Sequence, residues 1–134
     1  MDHGFRFRRK EHLKGRDEIR DVFKRGKAVS CSGAKLFVLK NDLPHNRIAF
    51  TFARKFGNAV ERNRARRLSR EAYRLMRNTL KPGFDLVLLI YPGKDVFSIR
   101  MEQLGILFAR AGIGSIELKF VGLKSVELKS VGHA

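Results

Sequence analysis

The chain has 134 residues, of which 43% are hydrophobic and 31% are charged. These proportions suit one folded domain and argue against a disordered chain or two independent cores. Lysine and arginine number 29 against 13 acidic residues, so the formal net charge is +16. A charge of this size predicts a polyanionic partner, nucleic acid first and an anionic membrane surface second.

Several other classes of protein are disfavoured by the sequence. No apolar run approaches the ~20 residues that a transmembrane helix requires, and no apolar signal-peptide core follows the N-terminal MDHGFRFRRK. Cys31 is the only cysteine, so one chain cannot form a disulfide or a thiolate metal cluster. The histidines show no metal-ligand spacing. We therefore expect a cytoplasmic protein with no metal site of its own.

A short helix over residues 16–25 is the first element that the sequence predicts. Ile19, Val22 and Phe23 stand at the i, i+3, i+4 spacing of one apolar stripe, and a glycine follows as a stop. Residues 1–14 before this helix are basic and aromatic. Their rings, Phe5 and Phe7, are candidates for stacking on unpaired bases.

Two strands are predicted next, over residues 34–40 and 47–54, with a turn between them. In the second strand large apolar side chains alternate with the small residues Ala49, Thr51 and Ala53. This period of two predicts one face toward the core and one open face. Small side chains leave the open face low enough for an extended strand to lie on it. A helix packed on that face is the simpler alternative.

A long helix over residues 58–78 is the strongest prediction, because Asn58 and Glu61 form a capping-box pattern at its start. At about 100° per residue, the apolar residues fall within roughly a third of the circumference. These residues are Ala65, Leu68, Ala72, Leu75 and Met76. The opposite side carries Asn63, Arg66, Arg67, Arg70, Arg74 and Arg77, with Arg62 and Arg64 between the two faces. The helix is therefore expected to bury one face and to expose an arginine ridge.

This arginine ridge predicts a surface that binds the phosphates of a nucleic acid. Nine basic residues stand between positions 54 and 77 against two acidic ones, Glu61 and Glu71. The planar guanidinium donates two parallel hydrogen bonds to a phosphate and stays charged at biological pH. Ridge positions at i, i+3 and i+4 lie about 5–6 Å apart, close to the spacing of neighbouring phosphates. A merely solvated face is the alternative, which the scarcity of neutralising acids disfavours.

One more strand and one more helix complete the predicted fold. Residues 84–91 are apolar apart from Asp85, which predicts a strand buried on both faces. Residues 98–111 predict a helix with Leu104, Leu107 and Phe108 on one stripe.

The C-terminal segment differs from the rest of the chain. Residues 115–122 (SIELKFVG) are nearly repeated at 125–132 (SVELKSVG). Two copies are too few for a solenoid. We therefore expect one domain over residues 1–112 and a low-complexity tail over 113–134.

Residues 54–71, RKFGNAVERNRARRLSRE, resemble the signature of the bacterial ribonuclease P protein subunit. That signature is a basic pair, a glycine and Ala-Val, then Arg-Asn-Arg followed by two basic residues and Arg-Glu. The resemblance covers roughly residues 5–111. It implies an α/β (α+β) two-layer sandwich with a mixed four-stranded sheet and about three helices. It also implies a left-handed βαβ crossover, as in folds of the class named after domain 2 of ribosomal protein S5.

The resemblance implies a function as well. Proteins of this family are the small partners of a catalytic RNA that holds the Mg²⁺ ions and removes the 5′ leader of precursor tRNA. The protein then has no catalytic residue of its own. The expected partners are the catalytic RNA and precursor tRNA, with no membrane and no obligate protein partner.

Matched position by position, the resemblance places RNA-binding residues on and just before the signature helix. These residues are Arg54, Lys55, Arg62, Asn63, Arg64, Arg66, Arg67 and Arg70. It places the leader cleft at Phe23 and Phe37, above a floor of Ala49, Thr51 and Ala53. Ile19 departs from the family pattern, because some members carry a cleft aromatic there.

The sequence leaves two other functions open and disfavours a third. A ribosomal or DNA-binding protein would place the arginine helix in a groove and bind duplex without a catalytic RNA. An autonomous Mg²⁺-dependent nuclease would use the acidic cluster Asp17, Glu18 and Asp21. A membrane-surface helix is disfavoured, because the apolar face of residues 59–76 is narrow and rich in alanine.

Overall fold

A mixed four-stranded sheet is the centre of the computed structural model, which describes residues 9–114. Its strands are β1 (Lys27–Cys31), β2 (Ala34–Lys40), β3 (Arg47–Phe52) and β4 (Phe84–Ile90). They lie in the order β1-β2-β4-β3. β1 and β2 pair antiparallel, as do β2 and β4, whereas β3 and β4 are parallel.

Three helices pack on this sheet, namely α1 (Arg16–Arg25), α2 (Ala59–Met76) and α3 (Phe97–Ala111). α2 and α3 cover one face, and α1 crosses part of the other face. The α+β fold with a mixed four-stranded sheet and three helices is thereby confirmed. α2 joins the parallel strands β3 and β4 in a βαβ unit, whose left hand stays a prediction.

The main core lies between the sheet and the pair α2 and α3. Alternate strand residues such as Leu36, Ile48 and Leu88 point into it, where they meet Tyr73 of α2 and Phe108 of α3. These two rings are in edge contact, with centroids 6.3 Å apart. The period of two predicted for the strands therefore separates a core face from an opposite face.

β4 is buried on both faces, as its largely apolar sequence predicts. Leu86 and Leu88 belong to the main core, whereas Val87 packs on the other side with Leu13 and with Val22 of α1. This second, smaller cluster fixes α1 on the sheet. The predicted bounds of the helices and strands agree with the structure to within about two residues.

No pattern in the sequence predicts β1, an edge strand of five residues with only two of its side chains packed toward the main core. At the other end of the fold, Ile113 is 2% exposed within that core, and Gly114 forms a bridge with Leu80. The repeats after residue 114, like Phe5 and Phe7, lie outside the described residues, and the domain boundary at 112 stays a prediction. No helix within residues 9–114 has the length and apolar character needed to span a membrane.

Candidate RNA interface

The start of α2 is fixed by the capping box that the sequence predicts. The Asn58 side chain accepts from the Glu61 backbone N–H at 2.9 Å, and Glu61 accepts from the Asn58 N–H at 2.9 Å. Gly57 before it has φ 155°, and a Cβ there would lie 2.2 Å from the Glu61 carboxylate. Only glycine fits this position without disturbing the cap. α2 therefore begins at a defined point, four residues after the basic pair Arg54 and Lys55.

Arg54 and Lys55 lie in the loop that connects the end of β3 to α2. Both side chains are exposed. Among residues 9–114 neither side chain makes an ion pair or a hydrogen bond with another residue. Lys55 adopts a left-handed backbone with φ 67°, which is uncommon for a residue with a Cβ. Both cations are therefore available to an external anion.

The first turns of α2 expose four of the predicted RNA-binding residues, Arg62, Asn63, Arg64 and Arg67. Arg62 donates to the Gly57 carbonyl at 2.7 Å. Within the described part of the chain, Arg64 and Arg67 have no side-chain hydrogen bond and no ion pair. These two guanidinium groups can therefore give all their donors to phosphates.

Arg66 and Arg70 are half-buried along the flank of α2. The Arg66 guanidinium lies 5.0 Å from the centre of the Phe52 ring and donates to Asn63 at 3.0 Å. Desolvation lowers the pKa of His12, and the charges of Arg70 and Lys14 lower it further. Cations from α2 and from the N-terminal segment thus create one region of positive potential.

The arginine ridge is rotated relative to the prediction. Leu75, which the sequence pattern predicts on the buried face, is 51% exposed, and Leu68 is half-buried. Arg74 forms an ion pair with Glu71 on the surface. Arg77 forms one with Glu11 at 2.7 Å and is largely buried. Neither Arg74 nor Arg77 is therefore an open phosphate donor.

Ser69 and Tyr73 are buried on the face of α2 where the sequence pattern predicts Leu68 and Leu75. The Ser69 hydroxyl donates to the Ala65 carbonyl at 2.8 Å and accepts from Arg100. Arg100 is 2% exposed and also bonds Asp95 and Gln103. A serine is stable at this depth because each of its polar functions has a partner.

The predicted cleft lies on the sheet face that α1 crosses. Phe23 of α1 and Phe37 of β2 meet edge to face, with ring centroids 4.8 Å apart. Phe23 is 38% exposed, so it presents ring surface to solvent although it belongs to the apolar stripe of its helix. The two aromatic residues predicted for the cleft are thus in contact.

The three predicted floor residues differ in their surroundings. Ala49 packs in the small cluster beneath α1, so the helix covers it. Thr51 and Ala53 lie beyond that cluster and are partly exposed. The Thr51 hydroxyl donates to the Leu88 carbonyl at 3.0 Å, and the Ala53 N–H donates to Ile90 at 2.9 Å. The open floor is therefore the Thr51 to Ala53 end of the sheet.

The register adds two residues that the sequence did not assign to the floor. Lys35 of β2 and Thr51 of β3 both stand opposite Leu89 of β4, so the three share one face. The Lys35 ammonium lies 5.5 Å from the centre of the Phe37 ring. Lys35 and Leu89 each stand two residues from a cleft residue of the same strand, Phe37 and Val87, and therefore point to the same face. That they lie beside Thr51 can be deduced only once the strand pairing is known.

The acidic cluster of α1 is engaged with arginines. Asp17 pairs with Arg20 at 3.4 Å and Asp21 with Arg25 at 2.7 Å, both within the helix. Glu18 lies 3.5 Å from Arg47 and accepts from the Gly15 N–H. Over residues 9–114 no group of three or more His, Cys, Asp or Glu side chains is placed to hold a metal ion. This donor set does not suit a two-metal nuclease site.

Comparison with known proteins identifies relatives of this chain. A family model described as Ribonuclease P matches residues 7–111. Over 77 residues the chain is 44% identical to the ribonuclease P protein component of Natranaerobius thermophilus, which covers 58% of this chain and 67% of the relative. The chain is 38% identical to the ribonuclease P protein component of Clostridioides difficile over 84 residues, which are 62% of this chain and 74% of the relative. The solved ribonuclease P protein from Thermotoga maritima superposes with a TM-score of 0.66 at 30% identity, covering 75% of this chain and 96% of that one.

Proposed function

The chain belongs to the ribonuclease P protein family, and we propose that its α2 surface binds the catalytic RNA while its cleft binds the 5′ leader of precursor tRNA. As a ribonuclease P protein component, it is part of the ribonucleoprotein endonuclease of tRNA 5′ processing and partners the ribonuclease P RNA. In this proposal the side chains of the protein bind and position RNA, and the catalytic RNA itself cleaves the phosphodiester bond.

One observation supports the assignment of the cleft to the leader and of α2 to the catalytic RNA. The open floor at Thr51 continues along β3 directly into Arg54 and Lys55, and these lead into α2 with exposed Arg64 and Arg67. A single strand lying on the floor and a second RNA lying along α2 would therefore meet at the basic pair. Cations at this junction offset the repulsion between the two polyanions.

The chemistry of the two surfaces suits a protein that serves many precursors. Phosphate contacts position RNA but carry little sequence information. Stacking of a base on an exposed ring such as Phe23 contributes roughly 1–3 kcal/mol and tolerates any base. Leaders of different sequence can therefore occupy the same cleft.

Mg²⁺ is assigned to the RNA in this proposal. The described carboxylates of α1 are bonded to arginines or to a helix N-terminus, so these residues do not fit a Mg²⁺ site. The contribution of the protein is its charge of +16. By neutralising phosphates it should lower the Mg²⁺ concentration at which the two RNAs can approach.

Site-directed crosslinking tests the division. A photoreactive residue is placed at Thr51, at Asn63 or at Lys40, and the protein is assembled with catalytic RNA and precursor tRNA. We expect the probe at position 51 to label the leader, the probe at 63 to label the catalytic RNA, and the probe at 40 to label neither efficiently. Labelling of the catalytic RNA from position 51, or of the leader from position 63, would overturn the assignment.

A further inference from the structure

Lys35 of β2 lies on the same sheet face as the open floor and carries a positive charge there. In the strand register it lies level with Leu89 and Thr51, two residues along from Phe37, Val87 and Ala49, which pack in the small cluster next to α1. Strands lie about 4.8 Å apart, so Lys35 faces Thr51 across roughly 10 Å of sheet. The floor is thus low on the side of β3 and bounded on the side of β2 by a ring and an ammonium.

The Lys35 side chain has no acidic partner. In residues 9–114 it forms no ion pair and no side-chain hydrogen bond. Its ammonium lies over the ring of Phe37, 5.5 Å from the ring centre. The residue is partly buried, and with no carboxylate of residues 9–114 paired to it, its ammonium can interact with an incoming anion.

We propose that Lys35 is a further leader-binding residue, whose ammonium contacts a phosphate next to the nucleotide stacked on the Phe23–Phe37 pair. This inference rests on the proposed function of the cleft. The ring contact holds the ammonium beside the stacking surface, so one nucleotide meets both a ring and a charge. A compact ammonium acts on phosphate as a point charge, so the contact is independent of leader sequence.

The test uses the assembled holoenzyme with wild-type, Lys35→Met, Lys35→Arg or Lys40→Met protein. Lys40 lies on the same strand but on the opposite face and is exposed, so its replacement removes the same charge away from the cleft. Precursor binding is measured as the half-saturating holoenzyme concentration in single-turnover cleavage, from 0.05 to 0.3 M salt. Leaderless tRNA is measured as a competitive inhibitor over the same range.

We expect Lys35→Met to weaken precursor binding about three- to tenfold at low salt. Loss of one single-strand phosphate contact should lower the salt slope by about 0.7. Inhibition by leaderless tRNA should not change. Lys35→Arg should keep the wild-type slope, and Lys40→Met should keep the wild-type preference for the leader. The loss should be equal for an oligoadenosine and an oligouridine leader.

Three results would overturn the role of Lys35: an unchanged slope for Lys35→Met, an equal loss for leaderless tRNA, or an equal loss in Lys40→Met. A loss with only one of the two leaders would overturn the phosphate contact. Failure of the proposed function is a separate outcome, because wild-type holoenzyme would then bind precursor and leaderless tRNA equally. Thermal unfolding of each variant shows whether Lys35→Met folds as the wild type does.

Discussion

Replacing Arg64 and Arg67 by glutamine removes two exposed guanidinium groups that have no partner within residues 9–114. Because no internal contact is lost, the free energy of unfolding should change by less than about 0.5 kcal/mol. Affinity for the catalytic RNA should fall. With two phosphate contacts at about 0.7–0.9 each, the salt slope should decrease by roughly 1.4–1.8. Raising salt from 0.05 to 0.2 M should then narrow the difference between wild type and variant about tenfold.

The assay is a titration of catalytic RNA with protein at four or more salt concentrations. A matched control, Arg20→Gln/Lys40→Gln, removes the same net charge from surfaces outside α2. We expect the control to keep nearly the wild-type slope. An unchanged slope in Arg64→Gln/Arg67→Gln would refute the reasoning from exposure, and an equal decrease in the control would show that net charge alone, rather than α2, determines binding.

Three further predictions concern the framework that holds these surfaces. Gly57→Ala should cost about 1–2 kcal/mol of unfolding free energy in urea and weaken RNA binding, because its Cβ meets Glu61 of the capping box; an unaltered variant would show that the loop relaxes. Glu11→Gln should cost about 3 kcal/mol, because it leaves the largely buried Arg77 without its carboxylate; a cost below about 1 kcal/mol would contradict the pair's burial. Burial raises the pKa of the Cys31 thiol to about 11, so the alkylation rate should rise about tenfold per pH unit from 8 to 10, and a plateau near pH 9 would contradict this.

Local patterns in the sequence predict most of the elements and part of the buried face of α2, because Ala65, Ala72 and Met76 are buried as predicted. The spacing of apolar residues predicts that Leu75 lies in the core, whereas in the structure Ser69 is buried and Leu75 is exposed. The burial of Ser69 depends on Arg100, which is 31 residues later in the chain and donates to its hydroxyl. A helical wheel contains no information about such a distant partner.

The two residues that the sequence did not place on the cleft floor, Lys35 and Leu89, were missed for a related reason. Each is ordinary in its own strand, and their proximity to Thr51 follows from two strand registers at once. β1 was missed because its identity as a strand depends on pairing with β2 rather than on its own residues. The signature from Arg54 to Arg67, by contrast, is local, and most of its residues are exposed in the structure.

The most direct test of the central claim is cleavage of precursor tRNA at low Mg²⁺ by the protein alone, the catalytic RNA alone, and both together. We expect only the mixture to cut efficiently, at the mature 5′ end, because the charge of +16 offsets repulsion between the RNAs. If the protein leaves cleavage by the RNA unchanged, or if the protein cuts without the RNA, the account given for its surfaces is wrong.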